Sequence, residues 1–202
     1  MKPRERRRVR LRVRHAMRAT YEHVDAATER AAADVSCRKG CAACCRQLTG
    51  ATLIEAAHIA DTYPEEVRAR LPVIREHVAA LDRHGDTLGI SNMDPGDPRA
   101  RQPLADAWWA EKRRCAFLQG DDTCSIYEAR PLACRLWLVR SDPALCGAAD
   151  PTEVLFLHFE GSERLAMRLV MQSADFCGRG GRGEYGLFPH VMLRAWELAH
   201  VQ

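Results

Sequence analysis

Four cysteines fall within nine residues: Cys37, Cys41, Cys44 and Cys45. Thiolate sulfur is a soft donor, suited to zinc, Cu(I) or iron–sulfur clusters and unsuited to magnesium or calcium. The offsets 0, 4, 7 and 8 share one face of an α-helix. A helix would nonetheless spread the sulfurs over roughly 12 Å, at about 1.5 Å per residue. One metal with Zn–S bonds of about 2.3 Å cannot span that distance. The stretch is therefore expected to be partly loop, bent at Gly40, or to serve more than one centre. Neighbouring side chains diverge, so Cys44 and Cys45 are expected to face different partners. Burial as a small hydrophobe accounts well for a lone free cysteine and poorly for four at this spacing.

A second group follows at Cys115, Cys124 and Cys134. Gln119 to Asp122 reads as a turn between two short strands, and such a hairpin would bring Cys115 and Cys124 together across its arms. Pro131 turns the chain into a helix with Cys134 one turn in. Cys146 and Cys177 stand apart and read as spare or structural.

Nine cysteines is an odd number and fits a complete disulfide framework poorly. The basic N-terminus has no apolar run after it, so the expectation is a cytoplasmic chain whose thiols stay reduced. No stretch approaches the length of a membrane helix. Metal binding is then the leading explanation of the cysteines. The histidines show no ligand spacing, and no Ser-His-Asp arrangement, carboxylate pair or nucleotide loop identifies a reaction.

The elements that must position these sulfurs are mostly helical. The chain of 202 residues is long enough for a single domain with a full core. A basic arm is expected over residues 1–14, which carry a net charge of +7 against −4 for the remainder. It could meet nucleic acid or another anionic surface, or be the solvated start of the helix that follows. Helices are expected over 15–34, from the capping box Thr52-Leu53-Ile54-Glu55 onward, from Pro64 to about Arg83 with a break at Pro72, over 104–112, over 152–172 and over 189–201. His77 and His84 are expected to be exposed, residues 85–103 to be a loop, and residues 178–186 a flexible Gly-Arg linker. The fold class is thus mainly α, a single helical domain with a small β-hairpin and a cysteine-rich metal-binding centre.

The two groups together resemble the CxxCxxCC cysteine-cluster family, also known as YkgJ-like, whose name describes a domain chelating zinc or iron. The first group ends in the Cys44-Cys45 pair. The second reads Cys115, then Cys124-Ser125-Ile126-Tyr127-Glu128-Ala129-Arg130-Pro131-Leu132-Ala133-Cys134-Arg135. The resemblance covers residues 37–135, with one departure: three residues rather than two separate Cys37 from Cys41. It implies Cys37, Cys41, Cys44, Cys45, Cys115, Cys124 and Cys134 as metal ligands. Seven thiols exceed what one four-thiolate site needs. A related spacing occurs in flagellin lysine methylases, longer proteins associated with an iron–sulfur cluster, and together these points lean to iron–sulfur over zinc. Methylase activity is not carried over to so short a chain. Arg130 and Arg135 flank Cys134 and could lower thiol pKa values. Tyr127 could donate a hydrogen bond to a sulfur. Three classes of function stay open: a redox or protein-modifying metalloprotein, a structural zinc module in a nucleic-acid- or protein-binding protein, and a metal storage or delivery protein.

Overall fold

A computed structural model describes residues 3–38, 40–90, 97–147, 153–159, 161–177 and 185–200. Among these residues are seven α-helices: α1 (Pro3–Arg30), α2 (Leu53–Thr62), α3 (Pro64–Thr87), α4 (Pro98–Ala110), α5 (Leu132–Leu136), α6 (Ser162–Cys177) and α7 (Phe188–His200). Two short strands, β1 (Gly50–Thr52) and β2 (Tyr185–Leu187), pair antiparallel with Ala51 opposite Gly186. The chain is mainly helical, as its periodicities imply. No described helix is long and apolar enough to cross a membrane.

Helix α2 is the centre of the packing. Its capping box is present: Glu55 N–H donates to Thr52 Oγ1 at 3.4 Å, and Thr52 N–H donates to Glu55 Oε2 at 2.7 Å. Leu53, Ala56, Ile59 and Ala60 are buried, and the small alanines let neighbours approach closely. On one side α2 packs with α3 and α7, through Val67, Leu71, Ile74, Val191, Met192 and Trp196. On the other, Ile54 meets Val13, Met17, Tyr21 and Val24 of α1, with Leu132 and Leu169 completing the cluster. The α1 residues recur at helical spacing, which is why one stripe of this arginine-rich helix is buried. The basic segment is continuous with α1 from Pro3 onward, and Arg14 pairs with Asp61 at 2.6 Å.

Several expectations are corrected. The loop after α3 is shorter than 85–103: α3 continues to Thr87, and Asp97 caps α4 by accepting from Arg99 N–H at 2.9 Å, with Pro98 at its first position. Residues 91–96 of that expected loop lie outside the described residues. Pro72 does not break α3. Residues 154–159 are not helical, because they pair with the chain after α5: Arg140 N–H donates to Leu155 at 2.9 Å and Leu157 N–H to Leu138 at 2.8 Å. Helix α6 therefore begins only at Ser162, after Gly161 at φ +82. The two-strand sheet is β1–β2 rather than the 115–127 hairpin, which contributes the single bridge Leu118–Cys124. His77 is buried, edge-on to Trp108 at 4.8 Å. Of the Gly-Arg linker, residues 178–184 lie outside the described residues and 185–187 form β2.

Candidate metal centre

The first cysteine group is a loop and not a helix. Gly40 sits at φ +86, a region that favours glycine, and Cys41 N–H closes the bend onto the Arg38 carbonyl at 3.0 Å. A 3-10 turn over Ala43–Arg46 then carries Cys44 and Cys45. The bend at Gly40 is the device the spacing demanded. In this tight turn the two thiols stand close enough for Cys45 to raise the Cys44 pKa.

The second group is held far more firmly. Gln119 N–H donates to Thr123 at 2.8 Å and Ser125 N–H to Phe117 at 2.9 Å. These bonds set Cys115 and Cys124 on facing arms, with Asp122 in the left-handed region at the turn. Phe117, Ile126 and Ala129 are buried in the main core. A 3-10 turn over Tyr127–Ala129 leads to Arg130, extended as a residue before proline must be. Pro131 then precedes α5, whose third residue is Cys134.

Two side chains outside the cysteine pattern fix this segment. Glu55, fully buried, accepts the Leu132 N–H at 2.6 Å and thereby ties α2 to the start of the cysteine-bearing α5. Burial raises its carboxyl pKa, and the donors from Leu132 and Thr52 oppose that rise. Tyr21 of α1 donates to the Ala129 carbonyl at 3.2 Å. Neither residue was singled out as part of the site by sequence. Glu55 was visible only as a helix cap, and its second oxygen serves a chain segment 77 residues away.

The groups meet through a backbone bond: Cys115 N–H donates to the Cys45 carbonyl at 2.8 Å. Cys44 lies close enough to Cys115, Cys124, Cys134 and Cys37 for its charge to act on each. Burial pushes the Cys115 and Cys134 thiols up to about 12. It also raises Cys37 and Cys124. For Cys44 the hydrogen bond to Cys45 contributes most to the rise, ahead of burial. Backbone N–H groups point the other way and favour thiolate: Phe117 onto Cys115, Ile126 onto Cys124 and Val139 onto Cys37.

The flanking residues divide the work. Arg130 acts on Cys37, Cys44, Cys124 and Cys134, lowering each. Its guanidinium stacks 3.9 Å from the centroid of the Tyr127 ring, and its Nε is buried with no hydrogen-bond partner. Tyr127 is half exposed and supports the arginine through its ring face. Arg135 instead turns toward α1. It stacks over Tyr21 at 3.8 Å, pairs with Asp25 at 2.6 Å, and donates to the carbonyls of Arg130 and Glu128. The histidines of the core are engaged elsewhere: His58 with Tyr21, His77 with Trp108, His84 with Glu111 and His190 with Asp82.

A family model described as "putative zinc- or iron-chelating domain" matches residues 36–147. The chain belongs to the CxxCxxCC family. The CxxCxxCC match runs past Arg135 and takes in Cys146. No curated protein and no solved structure matches the chain.

An all-sulfur donor set beside an unpartnered buried guanidinium N–H suits a soft cation bound as an anionic thiolate complex. Among the described residues, however, no three Cys, His, Asp or Glu side chains converge with ligand geometry. The thiols of the CxxCxxCC domain are gathered as neighbours and not preformed as a cage. A cavity of ≈ 20 Å³ borders Cys115, lined also by His77, Trp108 and Met192. It has room for about one water.

Proposed function

We propose that this chain is a thiolate metalloprotein whose principal centre is held by Cys44, Cys115, Cys124 and Cys134, with Cys37, Cys41 and Cys45 completing the surrounding thiol shell. The observation that carries the reading is the Cys115 N–H to Cys45 carbonyl bond. It docks two cysteine groups far apart in sequence beside Arg130, whose buried Nε lacks a partner. A bound thiolate complex would supply the missing acceptor and offset the positive charge. Metal entry has to displace protons from buried thiols, so apparent affinity rises with pH.

For the metal, an iron–sulfur cluster accounts best for the surplus of sulfurs over one four-thiolate site, and it would give the protein a redox role. Zinc is the second reading. The N–H groups of Phe117 and Ile126, each two residues beyond the cysteine it serves, are what a closed tetrahedral zinc site requires of its outer donors. Metal and acid-labile sulfide content, with an absorption spectrum, decide between them on protein purified without oxygen. Iron with sulfide and a visible absorption band is the expected result. Zinc in a colourless protein moves the function to a structural or metal-handling module. A metal-free chain with paired thiols overturns the proposal.

A further inference from the structure

The arginines at the start of the chain take no part in the thiolate centre, and the packing of α1 decides where they stand. Val13, Met17, Thr20, Tyr21 and Val24 form the buried stripe of this helix. Arg8, Leu11, Arg12 and His15 are exposed, and a period of 3.6 residues puts them on the opposite side. Residues 1–14 hold Lys2 and seven arginines against the single acid Glu5, whereas Glu22, Asp25 and Glu29 all fall in the second half of α1. Two of the cations are answered within the fold: Arg14 by Asp61 at 2.6 Å and Arg18 by Glu22 at 2.7 Å. Arg8 and Arg12 have no acidic partner among the described residues. They stand one turn apart, about 6 Å along the axis. Farther along, Tyr21 and Asp25 tie α1 to the segment that bears Cys134, so the helix is a fixed mount for its charges.

Surplus cations on the face turned away from the core call for a polyanion. The chemistry of the face narrows which one. Among the described residues of α1, Leu11 is the sole large apolar side chain exposed. The apolar stripe that a helix lying on a membrane would insert is buried against α2. Tyr21 is the only Phe, Tyr or Trp of α1 and is buried, so the face offers no platform on which unpaired bases could stack. A duplex keeps its bases stacked internally and presents phosphates, which arginine meets with paired N–H donors while counterions are released. We propose that the outer face of α1, around Arg8 and Arg12, binds the phosphate backbone of double-stranded nucleic acid without regard to base sequence. This does not rest on the thiolate reading: the two functions occupy different faces of the molecule and fail independently.

The test is fluorescence anisotropy of short labelled DNA and RNA duplexes with the full chain as purified, over a series of salt concentrations. Binding that weakens steeply with salt and does not distinguish unrelated sequences is expected. The double variant Arg8→Gln with Arg12→Gln should lower affinity about tenfold or more, and should flatten the slope of log K against log salt by about 2, for two lost phosphate contacts. Each single variant should flatten it by about 1. Arg14→Gln with Arg18→Gln removes the same formal charge from guanidiniums that are already paired, and should change affinity by no more than about threefold. A preference for the DNA or the RNA duplex identifies the source of the phosphates and supports the inference. No salt-sensitive duplex binding by the parent chain overturns it. An equal loss in the two double variants also overturns it, because net charge and not this face would then govern binding. Tighter binding to single strands, or to phosphatidylserine vesicles, than to either duplex overturns it as well.

Discussion

The two cysteine groups are built differently. The segment from Cys115 to Leu136 sends Phe117, Ile126, Ala129 and Leu132 into the core and is tied from below by Glu55, Tyr21 and Asp25. The stretch from Cys37 to Arg46 has no buried residue in the 3-10 turn that carries Cys44 and Cys45. It is held by turns, by Gly40, by the hydrogen bond to Cys115, by Trp108 Nε1 donating to the Arg46 carbonyl at 3.0 Å, and by Cys37 and Ala43 packing on Val139, Cys146 and Val154. One half is a seat anchored in the core, and the other is a flap laid against it. Ordering a loop around a metal costs entropy that ligand bonds offset.

The largest expected effect is on the anchored side. Cys134→Ser should abolish binding at the principal centre, because its sulfur sits on α5, which Glu55 ties to α2 and Leu132 roots in the core; metal analysis of the purified variant checks this. If instead the flap cysteines alone governed retention, the contrast between the halves would fail.

Next come the ties of the seat. Arg135→Ala strips a stacked, buried guanidinium from Tyr21 and leaves two carbonyls unsatisfied, a loss on the order of 3 kcal/mol. Thermal unfolding should fall by roughly 10 °C for a chain of this size. Arg130→Gln should leave the melting temperature nearly unchanged and weaken metal retention, because this arginine faces the thiols. Equal effects of the two substitutions on melting and on metal would erase the distinction between an arginine serving the fold and one serving the site.

In the flap, Gly40→Ala meets open space around the new Cβ and only the strain of positive φ. The cost is about 1 kcal/mol, so the loss should be seen in metal retention sooner than in the global melting temperature. Hydrogen exchange of residues 37–46, with and without metal, would locate that loss.

The smallest effect is a pH dependence away from the cysteines. Burial holds His77 below its ordinary value of 6.5, so the folded protein keeps it neutral. Below pH 6.5 the unfolded chain takes up a proton that the folded chain refuses, and stability is lost as pH falls through that window. His77→Gln should flatten the decline in melting temperature between pH 7.5 and 5. Some slope should persist, because burial lowers His58 in the same sense.

Much of this architecture was legible in the residues. The capping box at Thr52 and Glu55, Pro64 opening α3 and the alanine-rich helix expected from His15 all report local backbone physics, and local physics is written in adjacent residues. The bend at Gly40 followed from the reach of a metal–sulfur bond. What escaped was non-local. The 152–172 stretch looked helical, but its residues 155–157 pair with 138–140, and the short strands β1 and β2 have no alternation long enough to read. Gly50 lies against Tyr185 so closely that a Cβ there would sit 2.1 Å from the Tyr185 hydroxyl, a constraint seen only once both strands are placed.

The sequence by itself determined the chemistry on offer: soft sulfur donors, their two groups, the turn between Cys115 and Cys124, and a mainly helical frame. These depend on residue types at short spacing. Tertiary structure decided which side chains stand over the thiols. Arg130 and Arg135 look equivalent beside Cys134, yet Pro131 and α5 send one to the sulfurs and the other to Tyr21. Cys146 looks unattached, yet the fold-back after α5 brings it to Cys37. Direction and long-range proximity come from how helices pack on α2, and no local spacing encodes that.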